Sequence, residues 1–169
     1  MILQPPPFWR NPTLGSYGGH MGTLVKVLQD MGLLLARLVF GAVMIYHGWN
    51  RWRPGVQQQA DYLAQYGLPE PLLLAWGAVG LEVIGGFLII FGILTPVVAG
   101  LFVVEFVMIV LWIQWHHGIH VLNNGVEYSS VLAVLALLLT VFGAGRTGVD
   151  RLFRRSGRRR NAVDEYDPA

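Results

Sequence analysis

Residues 71–115 form an apolar run whose only charged side chains are Glu82 and Glu105. As one helix, these residues would extend ~68 Å at ~1.5 Å per residue, about twice the ~30 Å hydrocarbon core of a bilayer. A glycine and a Thr-Pro pair near the middle of the run are typical of a turn. The run is therefore predicted to fold back as two membrane-spanning helices, at about 71–92 and 95–115.

Two further stretches are long and apolar enough to cross a bilayer. The first, at about 31–50, is apolar except for Arg37 and His47 and ends near tryptophans typical of a membrane interface. The last, at about 126–143, is uncharged over most of its length. The polar stretch at 51–70 is predicted to be a short hairpin outside the membrane. We therefore predict an all-α fold, an integral membrane bundle of four transmembrane helices.

The composition excludes several kinds of chemistry. The chain is 54% hydrophobic and 13% charged, whereas soluble domains average about 25% charged residues. It has no cysteine, which excludes disulfides, thiolate catalysis and iron–sulfur sites. No glycine-rich phosphate loop and no Ser-His-Asp set is present in the sequence. We therefore predict no catalytic residue, no metal site and no cofactor of the chain's own.

The chain is predicted to have three parts. Residues 1–30 are expected to be an N-terminal cytoplasmic or interfacial segment, with a loop at the glycines of 15–22 and a short amphipathic stretch at 23–30. Residues 31–145 are expected to be the four-span domain. Residues 146–169 are expected to be an Arg-rich cytoplasmic tail.

The distribution of positive charge predicts the orientation in the membrane. Four spans place both termini on the same side, and the two tails together hold nine Lys and Arg residues, against Arg51 and Arg53 on the opposite side. The nine are Arg10, Lys26, Arg146, Arg151, Arg154, Arg155, Arg158, Arg159 and Arg160. The positive-inside rule therefore places both termini in the cytoplasm of a bacterial inner membrane. The basic tail is expected to contact anionic lipid, and no nucleic-acid partner is predicted.

Three charged side chains fall inside the predicted spans: Arg37, Glu82 and Glu105. Charge in a membrane is costly, so such residues usually face the bundle interior or mark a functional site. We predict that they form a buried charge network in which an Arg37–Glu82 pair fixes helix packing. One cation against two carboxyl groups leaves a second interpretation open, in which the unpaired carboxyl group is protonated or serves a proton or ligand path. A third is contact with a charge on a partner subunit.

Small residues support the burial of both charges on the first two spans, because they let helix backbones approach closely in lipid. Ala78 and Gly86 share a stripe with Glu82, and Gly41 and Gly48 share one with Arg37.

A second group of polar residues is expected at the outer membrane face, at one common depth. It consists of His47, His116, His117, His120 and Glu127. Imidazole and carboxylate groups could contact a quinone headgroup, transfer protons or contact a periplasmic partner. They could also ligate a metal or haem, or simply hydrogen-bond headgroups and loop carbonyl groups as ordinary interfacial residues.

Several short motifs follow one another along the chain. They are Leu34-Leu35-Ala36-Arg37-Leu38, His47-Gly48-Trp49-Asn50-Arg51, Gly67-Leu68-Pro69, Glu82 with Gly85-Gly86, Gly92-Ile93-Leu94-Thr95-Pro96, and Gly143-Ala144-Gly145-Arg146 with Asp150. This ordered set resembles the DoxX family of small four-helix bacterial membrane proteins, over about residues 31–152. Glu105 has no counterpart in that pattern.

The resemblance implies a role beside redox enzymes. Proteins of this family are linked to membrane-associated oxidoreductase complexes, among them a thiosulfate:quinone oxidoreductase and a mycobacterial assembly with superoxide dismutase and a sulfurtransferase. We therefore expect an integral-membrane accessory subunit of a larger redox or electron-transfer complex, with lipid or quinone contacts. The alternatives are a small-molecule or proton-coupled transporter built around Glu82 and Glu105, and a self-sufficient quinone-reactive enzyme.

Overall fold

The structure is a computed structural model that describes residues 14–145 together with 148 and 149. The N-terminal proline-rich residues and nearly all of the predicted Arg-rich tail lie outside the described residues. Within the described part, every regular element is helical and no strand occurs.

Five helices account for the fold. They are α1 (Leu14–Trp52), α2 (Val56–Gln65), α3 (Pro71–Phe91), α4 (Thr95–His117) and α5 (Glu127–Phe142). The Leu24–Trp52 part of α1, α3 and α4 are each long and apolar enough to cross a membrane, and α5 is a shorter apolar helix. The prediction of an all-α membrane bundle of four apolar helices is confirmed.

One local prediction is wrong, and another lacked a helix. The glycines at 15–22 were expected to form a loop, but they lie within the continuous helix α1. Extending an existing helix avoids the cost of nucleating one, and this offsets the poor helix propensity of glycine. The predicted hairpin at 51–70 contains the helix α2, which the sequence analysis did not specify. Val56, Ala60 and Leu63 bury one face of that helix, a spacing typical of an amphipathic helix.

Glycines bring α1 and α3 into close contact. A Cβ atom added to Gly41 would lie 2.6 Å from the carbonyl oxygen of Gly86, and one added to Gly48 would lie 2.9 Å from Cβ of Glu82. No side chain larger than hydrogen fits at these points without moving the helices. The predicted small-residue stripes are thus confirmed as the α1–α3 contact, and they set Glu82 beside Gly48.

Aromatic rings fill the centre of the bundle. Phe40 of α1 meets Phe102 and Phe106 of α4 edge-to-face, with ring centroids 5.2 and 6.3 Å apart. The outward faces remain apolar and exposed, as at Val97, Leu111 and Val141, which suits contact with lipid.

The two ends of the bundle differ in their connections. One end, called here the turn end, holds the tight turn at 92–94 between α3 and α4 and the last residues of α5. The other, called here the hairpin end, holds α2 and the connection at 118–126 between α4 and α5. Helix α1 runs from the turn end to the hairpin end, so Arg37 and Arg51 lie toward opposite ends of the bundle.

Candidate functional site

A cavity of about 720 Å³ lies between the helices toward the hairpin end. Most of its wall is aliphatic, from residues such as Leu74, Leu101 and Met108. Its polar wall residues are His47, Arg51, Gln59, Tyr62, Glu82, Glu105, Gln114, Asn124, Tyr128 and Ser129. Pockets for organic ligands typically have this size and this mixture of apolar wall and few polar groups.

Two π-helical turns border this cavity. Residues Leu81–Gly85 interrupt α3 and residues Ile109–Gln114 interrupt α4. Each turn widens the helix locally and shifts the register of the side chains, and such turns are frequent at functional sites. The first turn carries Glu82 and the second carries Gln114, and both side chains line the cavity.

Arg51, Glu82 and Glu105 form a charge cluster on the cavity wall. Nη1 of Arg51 lies 2.6 Å from Oε1 of Glu82 and 3.8 Å from Oε1 of Glu105. The side chains of the two glutamates are 2% and 13% exposed, and that of Arg51 is 26% exposed. The cluster therefore places one cation against two buried carboxyl groups.

Several buried oxygen atoms on this wall have no hydrogen-bond partner among the described residues. They are Oε2 of Glu82, both carboxyl oxygens of Glu105 and Oε1 of Gln114. Oxygen acceptors buried without a donor cost free energy, so they favour an occupant that supplies donors. The cavity is thus polar where an occupant could be recognised and apolar elsewhere.

Arg37 serves a different purpose from the one predicted. Its Nε donates to the carbonyl oxygen of Ile89 at 3.0 Å, its Nη2 to that of Ile90 at 2.8 Å, and its Nη1 to that of Ala144 at 2.7 Å. The last turn of a helix leaves its carbonyl groups without backbone donors. Arg37 donates to two of those of α3 and to one carbonyl group just beyond α5.

The predicted Arg37–Glu82 pair is therefore wrong, because the cation beside Glu82 is Arg51. Glu82 packs against Gly48, which lies ~16 Å along α1 from Arg37, beyond the reach of one side chain. The prediction of one cation against two carboxyl groups holds with Arg51 as the cation. Because Arg51 follows the interfacial Trp49 in the sequence, Arg51 was predicted to lie in an exposed loop.

The five residues predicted at the outer face do not form one cluster. Of them, only His47 lines the cavity, and its Nε2 lies 2.9 Å from the hydroxyl oxygen of Tyr128. The other four are exposed at the hairpin end: His116, His117, His120 and Glu127. Within the described part of the chain, no group of three His, Asp or Glu residues could hold a metal ion.

Helix α2 closes the hairpin end of the cavity, which the sequence did not indicate. Gln59, Tyr62 and Leu63 of this helix contribute to the wall. The hydroxyl oxygen of Tyr62 accepts a hydrogen bond from Nδ2 of Asn124 at 3.1 Å, and this bond links α2 to the connection between α4 and α5. The amphipathic spacing of α2 was the available signal.

Comparison with known proteins gives a family match and two relatives. Residues 32–117 match the family model described as DoxX. Over 135 residues the chain is 30% identical to Inner membrane protein YqjF of Escherichia coli (strain K12), which covers 78% of this chain and 98% of that protein. Over 85 residues it is 27% identical to "Putative oxidoreductase CatD" of Bacillus subtilis (strain 168), which covers 50% of this chain and 61% of that protein. No solved structure matches the chain significantly.

Proposed function

The chain belongs to the DoxX family of membrane proteins, and from this premise we propose that it is the quinone-binding membrane subunit of a redox complex. The observation that carries the proposal is the cavity of about 720 Å³ with its polar cluster of Arg51, Glu82 and Glu105. A quinone pairs a polar ring with an apolar chain, and the cavity wall has the same two characters. The word oxidoreductase in the name of the Bacillus subtilis relative agrees with this role.

In this proposal, each part of the wall has a task. Aliphatic side chains of α3 and α4, such as Leu74, Leu101 and Met108, contact the ring face and the first part of the chain. The polar cluster and the His47–Tyr128 pair lie where hydrogen bonds can orient the ring oxygens. Hydrogen bonds fix orientation, while burial of apolar surface supplies most of the affinity.

The partner enzyme in this proposal supplies the electron donor. His116, His117, His120 and Glu127 are exposed at the hairpin end, where a partner domain outside the membrane has access to them. Membrane lipid surrounds the apolar faces of the bundle. The subunit therefore contributes a quinone site and an anchor to chemistry that the partner performs.

The orientation is also a proposal. The nine Lys and Arg residues of the two tails against two on the opposite side favour an inner membrane protein with both termini in the cytoplasm. The hairpin end then faces the periplasm. Reporter fusions at Asp61 and at the C-terminus test this orientation, and a C-terminal reporter active only outside the cytoplasm would contradict it.

A matched pair of cavity variants tests the proposed function. Gly77 and Gly80 both lie in α3 with open space around an added Cβ atom, but only Gly77 lines the cavity. We expect the wild type and Gly80→Phe, purified in mild detergent, to retain quinone, and Gly77→Phe to retain about tenfold less, a loss of ~1.4 kcal/mol in binding. The measurement is quinone extracted per mole of protein, with copurifying subunits identified in the same sample. A wild type without quinone, or equal retention in both variants, would contradict the proposal.

A second candidate is a proton-coupled transporter. The observation that favours it is the approach of Glu82 on α3 and Glu105 on α4 to one guanidinium group, since buried carboxyl groups beside a cavity are suited to proton relay. A transporter acts alone in proteoliposomes, so proton-driven uptake by the purified chain would favour it. An inert chain that becomes active only with its copurifying partners would favour the redox subunit.

A further inference from the structure

The buried atoms on the cavity wall that lack a hydrogen-bond partner among the described residues are all of one element. They are oxygen acceptors, and they belong to Glu82, Glu105 and Gln114. The side chain of Glu82 is 2% exposed and that of Gln114 is 9% exposed, so bulk water does not reach these atoms freely. The wall therefore favours an occupant that brings hydrogen-bond donors.

Glu105 is the acceptor with the most unmet capacity. Neither of its carboxyl oxygens has a hydrogen-bond partner among the described residues, and Arg51 Nη1 lies 3.8 Å away, too far for a hydrogen bond. Glu82, by contrast, receives a hydrogen bond of 2.6 Å from Arg51. Arg51 thus holds Glu82 in place and balances its charge, while the carboxyl group of Glu105 remains available to a ligand.

The two redox forms of a quinone differ in whether their ring oxygens donate or only accept hydrogen bonds. A quinol carries two hydroxyl donors, whereas the oxidised quinone carries two carbonyl acceptors and no donor on its ring oxygens. An acceptor placed against acceptor oxygens leaves both unsatisfied, at a cost in binding free energy. A hydroxyl group placed against Glu105 satisfies both its own hydrogen-bond donor and an acceptor oxygen of the carboxyl group.

We infer that the cavity binds the reduced quinol in preference to the quinone, with Glu105 as the residue that determines this specificity. The inference rests on the proposed function and adds the redox form and the discriminating residue.

Binding measurements on both redox forms test the inference. The full chain in detergent is titrated calorimetrically in oxygen-free buffer with decylubiquinone, decylubiquinol, menaquinone-2 and menaquinol-2. We expect the wild type to bind the quinol of at least one ring type about tenfold more tightly than its quinone, equal to ~1.4 kcal/mol. Glu105→Leu should remove this preference by weakening quinol binding while quinone binding is kept.

Two further variants keep the test decisive. Glu70→Leu changes an exposed glutamate outside the cavity and should retain the wild-type preference. Glu105→Gln keeps the shape of the side chain and should show a smaller preference than the wild type, so it carries the test if Glu105→Leu does not fold. Equal affinity for both forms, a preference for the quinone, or an unchanged preference in both Glu105 variants would overturn the inference and leave the proposed function standing. Binding of neither form by the wild type would overturn the proposed function itself.

Discussion

Two arginines on the same helix, Arg37 and Arg51, show how differently a bundle can use one side chain. Arg37 is 1% exposed and donates to three carbonyl groups at the turn end. Arg51 is 26% exposed at the hairpin end, where it faces two carboxyl groups whose remaining oxygens lack donors. The first arrangement uses the guanidinium group to complete the structure, whereas the second leaves hydrogen-bonding capacity open beside a cavity. In this bundle, the oxygens around a buried charge, more than the charge itself, distinguish a structural site from a binding site.

The geometry around Arg37 leaves little freedom. A Cβ atom on Gly92 would lie 2.6 Å from Nη2 of Arg37, and Gly92 has φ of +70°. Glycine is thus required there both for the left-handed turn and for the approach of the guanidinium group. The sharp turn between α3 and α4 and the bonds of Arg37 therefore depend on each other.

The largest expected effect is that of Arg37→Met. The variant removes the side-chain donors of the carbonyl groups of Ile89, Ile90 and Ala144, although that of Ile89 keeps a backbone donor, the N–H of Gly92. We expect a loss of about 3 kcal/mol in the free energy of unfolding, since each buried acceptor left without a donor costs ~1–3 kcal/mol and some will find other partners. The measurement is unfolding in mixed detergent micelles. Arg53→Met, at an exposed position, is the control, and equal stability of the two variants would contradict the structural role of Arg37.

Arg51→Met is expected to have a smaller effect on stability and a larger one on binding. It leaves Glu82 and Glu105 without their shared cation, but the partial exposure of this end allows water to replace some of the lost interaction. We expect a loss of about 1–2 kcal/mol in unfolding free energy together with loss of retained quinone. The same unfolding assay and quinone extraction measure both. If Arg51→Met is as unstable as Arg37→Met and still retains its quinone, the proposed binding role of Arg51 is wrong.

The smallest expected effect on stability is that of Glu105→Leu. Removing a buried carboxyl group without a hydrogen-bond partner relieves its desolvation cost, and replacing buried ionic groups by apolar ones is often neutral or stabilising. We therefore expect an unfolding free energy equal to or above that of the wild type. Glu82→Leu is the contrasting variant, since it removes the 2.6 Å partner of Arg51 and should destabilise the chain. A lower stability for Glu105→Leu than for Glu82→Leu would show that Glu105 has a structural role.

The sequence was sufficient to predict the helical spans and the contact between α1 and α3. Membrane helices are constrained locally by length and hydropathy, and the helical spacing of Gly41, Gly48 and Gly86 indicates which faces approach. The partner of Glu82 could not be predicted in the same way, because it depends on the axial offset between α1 and α3. Local pattern does not determine that offset, and Arg51 lay beyond the predicted end of its span.

The cavity was also beyond the reach of sequence analysis. Its shape depends on the π-helical turns Leu81–Gly85 and Ile109–Gln114 and on α2 closing one end. A π turn arises from the balance of packing between neighbouring helices, and no residue pattern in the chain indicates it. The histidines were conspicuous in the sequence, yet among those whose side chains the structure describes, only His47 lines the cavity.

Photolabelling with an azido-quinone tests whether the cavity holds the quinone, because it reports where on the bundle the ligand lies. The full chain in mild detergent is labelled with and without excess unmodified quinone, and the labelled peptides are mapped by mass spectrometry. We expect label that excess quinone displaces, confined to residues of the cavity wall, most of which lie within 73–82 of α3 and 101–114 of α4 with a smaller share on α1, α2 and α5. Displaceable label around Arg37 and the turn at 92–94, or label spread over the lipid-facing side chains such as Val97 and Val141, would contradict it.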